Sequence, residues 1–224
     1  MKLLALDTSS DACSVSLQLG EDVIENHVVG AREHTRILVP MIRGVLEEAA
    51  VALAELDAIV LGNGPGSFIG MRIGASVAQG LAHGAGINIV PVSSLLAVAE
   101  ETMASEGADH VVVAQDARMS EVYLGAFDRD EEGRARLQSP ERIVPADHIL
   151  AAPARFVAAG AGWARYPELA AANTAAILAS SVVEVPRSRY LLPAAARDLA
   201  AGQAIPPDRI EPAYLRNKVA QKPA

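Results

Sequence analysis

Two acidic turns and one glycine turn hold the residue types in this chain that could do chemistry. Leu3-Leu4-Ala5-Leu6 runs into Asp7-Thr8-Ser9-Ser10, and Val111 to Gln115 runs into Asp116-Ala-Arg-Met-Ser120. A carboxylate closing an apolar strand can hold a magnesium ion beside a phosphate, or it can cap its own turn through a side-chain hydrogen bond. Between the two acids, Ala58-Ile59-Val60-Leu61 leads into Gly62, Gly64, Pro65 and Gly66, a sharp turn whose backbone N–H groups could face an anion. Asp7, Gly64, Gly66 and Asp116 are therefore the weak candidates for binding a nucleotide. The glycine turn lacks the Gly-Lys-Ser/Thr ending of a phosphate loop, and its glycines do not follow dinucleotide-binding spacing.

Other chemistries find less support. His27, His34, His83, His110 and His148 are far apart in sequence, and none forms the His-x-x-x-His pair that puts two metal ligands on one helical face. No Gly-x-Ser-x-Gly elbow occurs. The single cysteine, Cys13, has neither zinc-ligand spacing nor a recognisable partner, and reads as a small buried residue. No metal site, catalytic residue or peptidase activity is expected.

The elements that must position these groups follow from periodicity. Ser67 is a good N-cap for a helix in which Ile69, Ile73, Val77 and Leu81 recur four apart. Gly70, Gly74, Ala78 and Ala82 make a second stripe, almost free of side chains. Glycine inside a helix costs about 1 kcal/mol relative to alanine, so something must offset it. Close approach of another helix is the favoured explanation over a phosphate at the helix N-terminus, and packing inside the chain's own domain is the remaining alternative. A preceding helix from His34 places Ile37, Leu38, Met41, Ile42, Val45, Leu46 and Ala49 on one wide apolar face, with Pro40 inside it.

At 224 residues with 51% hydrophobic and 4% aromatic content, the chain can bury an aliphatic core as one large domain or two small lobes. A net charge of −8 argues against unaided nucleic-acid binding. The early Asp7 argues against a signal peptide, and no apolar run approaches the ~20 residues of a membrane span. A soluble cytoplasmic protein is expected.

The order of elements suggests an α/β chain. A strand, an acidic turn and an antiparallel hairpin, 13–19 with 23–29, open the ribonuclease-H-like fold of actin-type ATPases, in which the first acid lies near magnesium and phosphate. The strand at 111–115 with its acidic turn and the returning 121–127 repeats that opening. We expect an actin-like fold of two lobes, each a mixed sheet flanked by helices: 1–106, 107–205, and a tail 206–224 that docks on the body or on a partner. Helices are expected at 170–181 and 191–201. Such an ATPase would want glycines after Asp116, where Ala117 and Arg118 stand. Gly160 and Gly162 read as a structural turn rather than an adenosine contact. Fold and phosphate grips disagree, which suggests a pseudo-enzyme.

Asp7-Thr8-Ser9 with Ala12-Cys13-Ser14-Val15, Arg32-Glu33-His34-Thr35, Gly64-Pro-Gly-Ser-Phe-Ile-Gly-Met-Arg-Ile-Gly74, Asp116-Ala-Arg-Met-Ser-Glu-Val-Tyr123 and Pro212-Ala-Tyr-Leu-Arg-Asn-Lys-Val-Ala220 occur in that order along nearly the whole chain. Together they resemble the TsaB (YeaZ) family. The resemblance implies a bacterial, non-catalytic scaffold in the synthesis of threonylcarbamoyladenosine beside the tRNA anticodon. It further implies pairing with the related transferase TsaD, with the ATPase TsaE joining them. TsaC makes the threonylcarbamoyl adenylate, the complex uses ATP and magnesium, and tRNA is met through the complex only. The family pairs through helices of its N-terminal lobe, which would make Ile37, Leu38, Met41, Met71, Gly74, Ala75 and Ala78 contact positions, and would allow a homodimer when TsaD is absent. Ile69, where the family commonly has threonine, and Met71 depart from the usual loop. The competing reading is an autonomous actin-fold ATPase or kinase binding nucleotide between the lobes.

Overall fold

The computed structural model describes residues 1–30, 33–151 and 154–216. Lys2–Asp7 (β1), Cys13–Leu19 (β2) and Asp22–Val28 (β3) form an antiparallel meander, because alternating aliphatic runs are broken at the Asp-Thr-Ser-Ser turn and at Gly20. After helix α1, His34–Glu48, the chain returns as Ala58–Gly62 (β4), parallel to β1. Helix α2, Phe68–Ala85, then crosses to Asn88–Val92 (β5), giving the sheet order β3-β2-β1-β4-β5. Helix α3, Ser94–Glu106, leads into the second sheet.

That sheet repeats the opening. His110–Asp116 (β6) pairs antiparallel with Glu121–Arg129 (β7), which also carries Ala135–Leu137 (β8) and Arg142–Pro145 (β9). Phe156–Ala159 (β10) lies parallel to β6, followed by helices α4, Ala161–Arg165, and α5, Pro167–Ala172. Ile177–Ser180 (β11) completes the edge, and α6, Leu192–Ala200, follows a 3-10 turn at Ser188–Leu191. Two mixed sheets flanked by helices are thus present, in the α/β architecture expected.

Each central strand is buried on both faces. Leu4, Leu6, Ile59 and Leu61 pack under α1 and α2, while Leu3, Ala5, Ala58 and Val60 meet Leu191, Leu192, Ala194 and Ala195. In the second sheet, Val111, Val113 and Phe127 meet Leu95, Val98 and Met103 of α3, and Val112, Leu124 and Phe156 meet Trp163 and Leu169. Nearly continuous aliphatic strands are what parallel sheets covered on both faces require.

Two expectations need correction. Residues 170–181 are not one helix: α5 ends at Ala172 and β11 occupies 177–180. Alanine supplies helix propensity, but Ile177 to Ser180 gains hydrogen bonds to β10, and tertiary pairing overrides local preference. The span 107–205 also does not pack as one body. Residues 188–200 cover the first sheet, Ile205 exchanges both backbone hydrogen bonds with Ile89 of β5 at 2.8 and 2.9 Å, and Ile210 enters the first core. The two sheets are therefore tied by a chain that leaves the first sheet through α3 and comes back. Pro40 lies within α1 on its exposed side, where a lost backbone donor costs least.

One side-chain contact ties the second sheet to the start of α3. Ser93 caps α3 by accepting from the Leu95 and Leu96 amides, and its hydroxyl donates to the Glu141 carboxylate. Burial pushes the Glu141 carboxyl up from 4.5 to about 7, the Ser93 hydrogen bond opposing. The native state then holds a proton that the unfolded chain has lost between these values, so this group's effect on stability worsens as pH rises through that window and is flat above it. Glu141→Gln should match the wild type near pH 4 and exceed it by up to about 3 kcal/mol at pH 8 in urea titrations.

Candidate partner face and inter-lobe cleft

The glycine segment works by close approach of backbone to backbone. Thr8 Oγ1 donates to the Gly70 carbonyl at 2.7 Å, and the Ser67 amide donates to the Ser9 carbonyl at 2.6 Å. A Cβ on Gly70 would lie 1.9 Å from the Thr8 carbonyl oxygen, one on Gly66 2.2 Å from the Ser9 carbonyl oxygen, and one on Gly74 2.7 Å from Thr8 Oγ1. The small-residue stripe therefore faces the turn after β1 and the sheet beneath it. Gly80 and Gly84, on other faces of α2, have open space where a Cβ would go.

This arrangement corrects most of the expected contact positions. Leu38, Met41, Met71, Gly74, Ala75 and Ala78 are buried within the chain's own first lobe, and only Ile37 keeps partial exposure. Both four-residue stripes on α2 were legible, but which one faced inward was decided by van der Waals distance. Glycine and alanine let the helix axis come closer to the sheet than isoleucine permits, and the closer packing buries more of the strands. The other stripe, Ile73, Val77 and Leu81, is partly buried, packing against the rim of the first core beside Leu46 of α1, with Val39 44% exposed.

Two of the four nucleotide candidates, Gly66 and Asp116, line a cleft of about 580 Å³ between the two sheets, formed by the turns after β1 and β6, the start of α2, α4 and the tail. Asp7 does not open into it. Its Oδ1 accepts from the Ser9 amide and hydroxyl, each at 2.8 Å, its Oδ2 accepts from Ser94 Oγ at 2.6 Å, and Gly62 leaves no room beside it. Burial raises its pKa, with the three hydrogen bonds opposing. Gly64 is likewise spent internally, its N–H donating to Ser94 Oγ and its carbonyl accepting from the Ser94 amide. Gly66 and Asp116 do line the cleft. Asp116 Oδ1 accepts from the Arg118 amide at 2.7 Å and from Tyr166 OH at 2.8 Å, and its Oδ2 meets the Arg118 guanidinium at 3.0 Å. A magnesium nucleotide does not fit these donors: one carboxylate is sealed and the other is neutralised by arginine. Gly160 and Gly162 press on Ala114, which makes them packing residues.

The remaining candidates are inert or dispersed. Burial pushes the Cys13 thiol up to about 11. Among the described residues no three His, Cys, Asp or Glu side chains converge as a metal site. No described helix is long and apolar enough to cross a membrane.

The described part of the tail docks on the body, one of the two outcomes expected for it, through partners that the sequence did not show. Asn63 bonds the backbone of Glu211 and Ala213, and Gln79 donates to the Pro207 carbonyl. Tyr214 stacks near Phe68 and accepts from Arg72 Nε at 2.8 Å, while Arg216 crosses to Glu121 and the Ala117 carbonyl on the second lobe. The mixed apolar and basic composition was visible, but the partners of Tyr214 and Arg216 are about 95 to 145 residues away in sequence. Residues 217–224 of the expected tail lie outside the described residues.

Comparison with known proteins bears on this geometry. The family model TsaD, tRNA N6-adenosine threonylcarbamoyltransferase, matches residues 26–224. The tRNA threonylcarbamoyladenosine biosynthesis protein TsaB of Escherichia coli (strain K12) is 35% identical over 226 residues, covering 99% of this chain and 97% of that protein. The chain belongs to the TsaB family. The Haemophilus influenzae TsaB is 36% identical over 99% of this chain and 96% of its own. The crystal structure of YeaZ from Pseudomonas aeruginosa superposes with a TM-score of 0.87 at 35% identity, covering 96% of this chain and 99% of that one. Another from the same organism, described as an uncharacterized protein similar to peptidase YeaZ, gives 0.88 at 36% with the same coverage. Family and fold thus agree with the resemblance carried by the five motifs, and the TsaB family shares its domain with the TsaD transferases.

The packing of α2 makes opposite forecasts for two of its glycines. Gly70→Ala should destabilise the protein by at least about 2 kcal/mol, because backbone on both sides must move. Gly80→Ala, into open space on a helix, should stabilise it by about 1 kcal/mol. Urea unfolding of both variants measures the pair.

Proposed function

We propose that this chain is a non-catalytic scaffold in threonylcarbamoyladenosine synthesis, pairing through α1 and α2 with a TsaD-type transferase. The observation that carries the reading is the partly exposed ridge of Ile73, Val77 and Leu81 on α2, beside Leu46 and Val39 of α1. Gly80 and Gly84 next to that ridge leave space for a partner helix to come near. The match of a transferase family model to 26–224 supports a partner built on the same fold, since two related lobes can present equivalent helices to each other. The same ridge would serve a homodimer when the transferase is absent.

The sealed Asp7 and the arginine-bound Asp116 support leaving chemistry to the partners. In this reading TsaD transfers the group, TsaC supplies the adenylate, and ATP with magnesium is used by TsaE and the assembled complex. The tRNA is met through that complex, in the cytoplasm. The chain's net charge of −8 supports an indirect route to RNA.

Val77→Glu or Leu81→Glu should weaken association with the purified transferase at least about tenfold by calorimetry, with the circular dichroism spectrum unchanged. Normal association of both variants would place the partner elsewhere. Gly74→Arg is not a usable interface variant, because the side chain enters the first core and the monomer itself should unfold. The purified chain alone should show no micromolar heat of Mg-ATP binding and no threonylcarbamoyl transfer. Micromolar binding that is lost on Asp116→Ala would favour the ATPase reading.

A further inference from the structure

The cleft mouth carries a surface that the scaffold reading leaves unused. Twelve large apolar side chains stand exposed among the described residues, and four of them rim this one cleft: Phe68 at 40%, Ile69 at 69%, Met119 at 63% and Tyr214 at 40%. Scattered exposed apolar residues need no explanation, but a cluster of aromatic, methionine and isoleucine side chains around a concavity has the composition of a protein interface. Met119 is held out by a turn in which Arg118, Met119 and Ser120 have φ of 63, 58 and 56°. Three successive non-glycine residues in the left-handed region cost on the order of 1–2 kcal/mol each, so the rest of the lobe sustains this presentation against a local preference.

Charge selects the occupant. Arg72 lies 3.8 Å from the Phe68 ring centroid and 5.7 Å from that of Tyr214, bonded to the Tyr214 hydroxyl. Arg165 lines the opposite wall. Among the described residues neither arginine has a carboxylate partner, whereas Arg118 is paired with Asp116 and Arg216 with Glu121. Asp11 is the remaining acid on the rim. Four arginines, Arg72 beside the Phe68 ring with Arg118, Arg165 and Arg216 of the lining, thus stand against Asp11, Asp116 and Glu121, one positive charge in surplus in a chain whose net charge is −8. Arginines stacked on aromatic rings and surrounded by apolar side chains are suited to a carboxylate delivered together with an apolar anchor.

We propose that the cleft mouth is a docking surface for an acidic, apolar-tipped segment of a second partner protein. It uses the first turn of α2, the turn after β6, and Tyr214 of the tail. The ridge proposed for the transferase runs along the later turns of α2, so both surfaces can be occupied together. A protein is favoured over RNA because the two rings of the rim, Phe68 and Tyr214, are packed on each other and under Arg72, Ile69 and Met119 offer no stacking plane, and the two arginines without a carboxylate partner are few for a phosphate backbone.

The test uses the full chain against a phage-displayed library of random dodecapeptides, with a fluorescein-labelled twelve-nucleotide oligouridylate assayed in parallel. The proposal expects selected peptides that combine Asp or Glu with Leu, Ile or Phe. Their binding, read by fluorescence anisotropy, should weaken at least about tenfold on Arg165→Glu and on Ile69→Asp. It should be unchanged by Val77→Glu, which reports on the ridge alone, and the Met119 methyl resonance should shift on saturation. Melting temperatures close to wild type confirm that the exposed substitutions leave the fold intact. No enriched sequence, basic peptides, binding unaffected by Arg165→Glu, or binding lost on Val77→Glu would each overturn the proposal. Oligouridylate that competes for the same arginines would overturn it in favour of RNA.

Discussion

The seating of α2 on the turn that follows β1 is the constraint on which the rest of the molecule depends. Gly66, Gly70 and Gly74 bring helix backbone against Thr8 and Ser9 at distances no Cβ would allow. That approach lets Thr8 Oγ1 donate to the Gly70 carbonyl and the Ser67 amide donate to the Ser9 carbonyl, orders the turn, and holds Asp7 beneath Gly62, where Ser9 and Ser94 complete its shell. One helix position therefore settles both the packing of the first sheet and the fate of its acidic residue.

The consequence for function is a division of surfaces. With the small stripe spent on the interior, the branched aliphatic stripe of α2 lies at the rim of the first core, partly exposed next to α1, and that is the ridge proposed here for a partner. The cleft, which in an actin-type enzyme would hold the reaction, has one carboxylate sealed by hydroxyl and amide donors and the other bound to Arg118. Asp7 is buried and accepts three hydrogen bonds from Ser9 and Ser94, so its oxygens face the chain's own donors rather than the cleft.

The return of the chain to the first sheet adds the second constraint. The covering of Leu3, Ala5 and Val60 by residues 191–195, and the crossing of the tail from Asn63 to Glu121, hold the two sheets in a defined relation. A cleft bounded this way has walls contributed by six separate stretches of sequence, which is why its mouth shows apolar and cationic groups side by side.

Periodicity and turn residues were enough to identify β1 to β7 and β10, the acidic turn at the end of each first strand and the glycine turn with its helix, because these are local or repeated patterns, and the resemblance of five motifs gave the family; β8, β9 and β11 were not read. Which of two stripes on α2 faces inward, whether Asp7 meets a ligand or its neighbours, and whether Ile177 to Ser180 joins a helix or a sheet edge were decided only by tertiary structure. Each of those outcomes turns on a distance to a residue far along the chain, and a distance of that kind is set by packing rather than by the residues on either side.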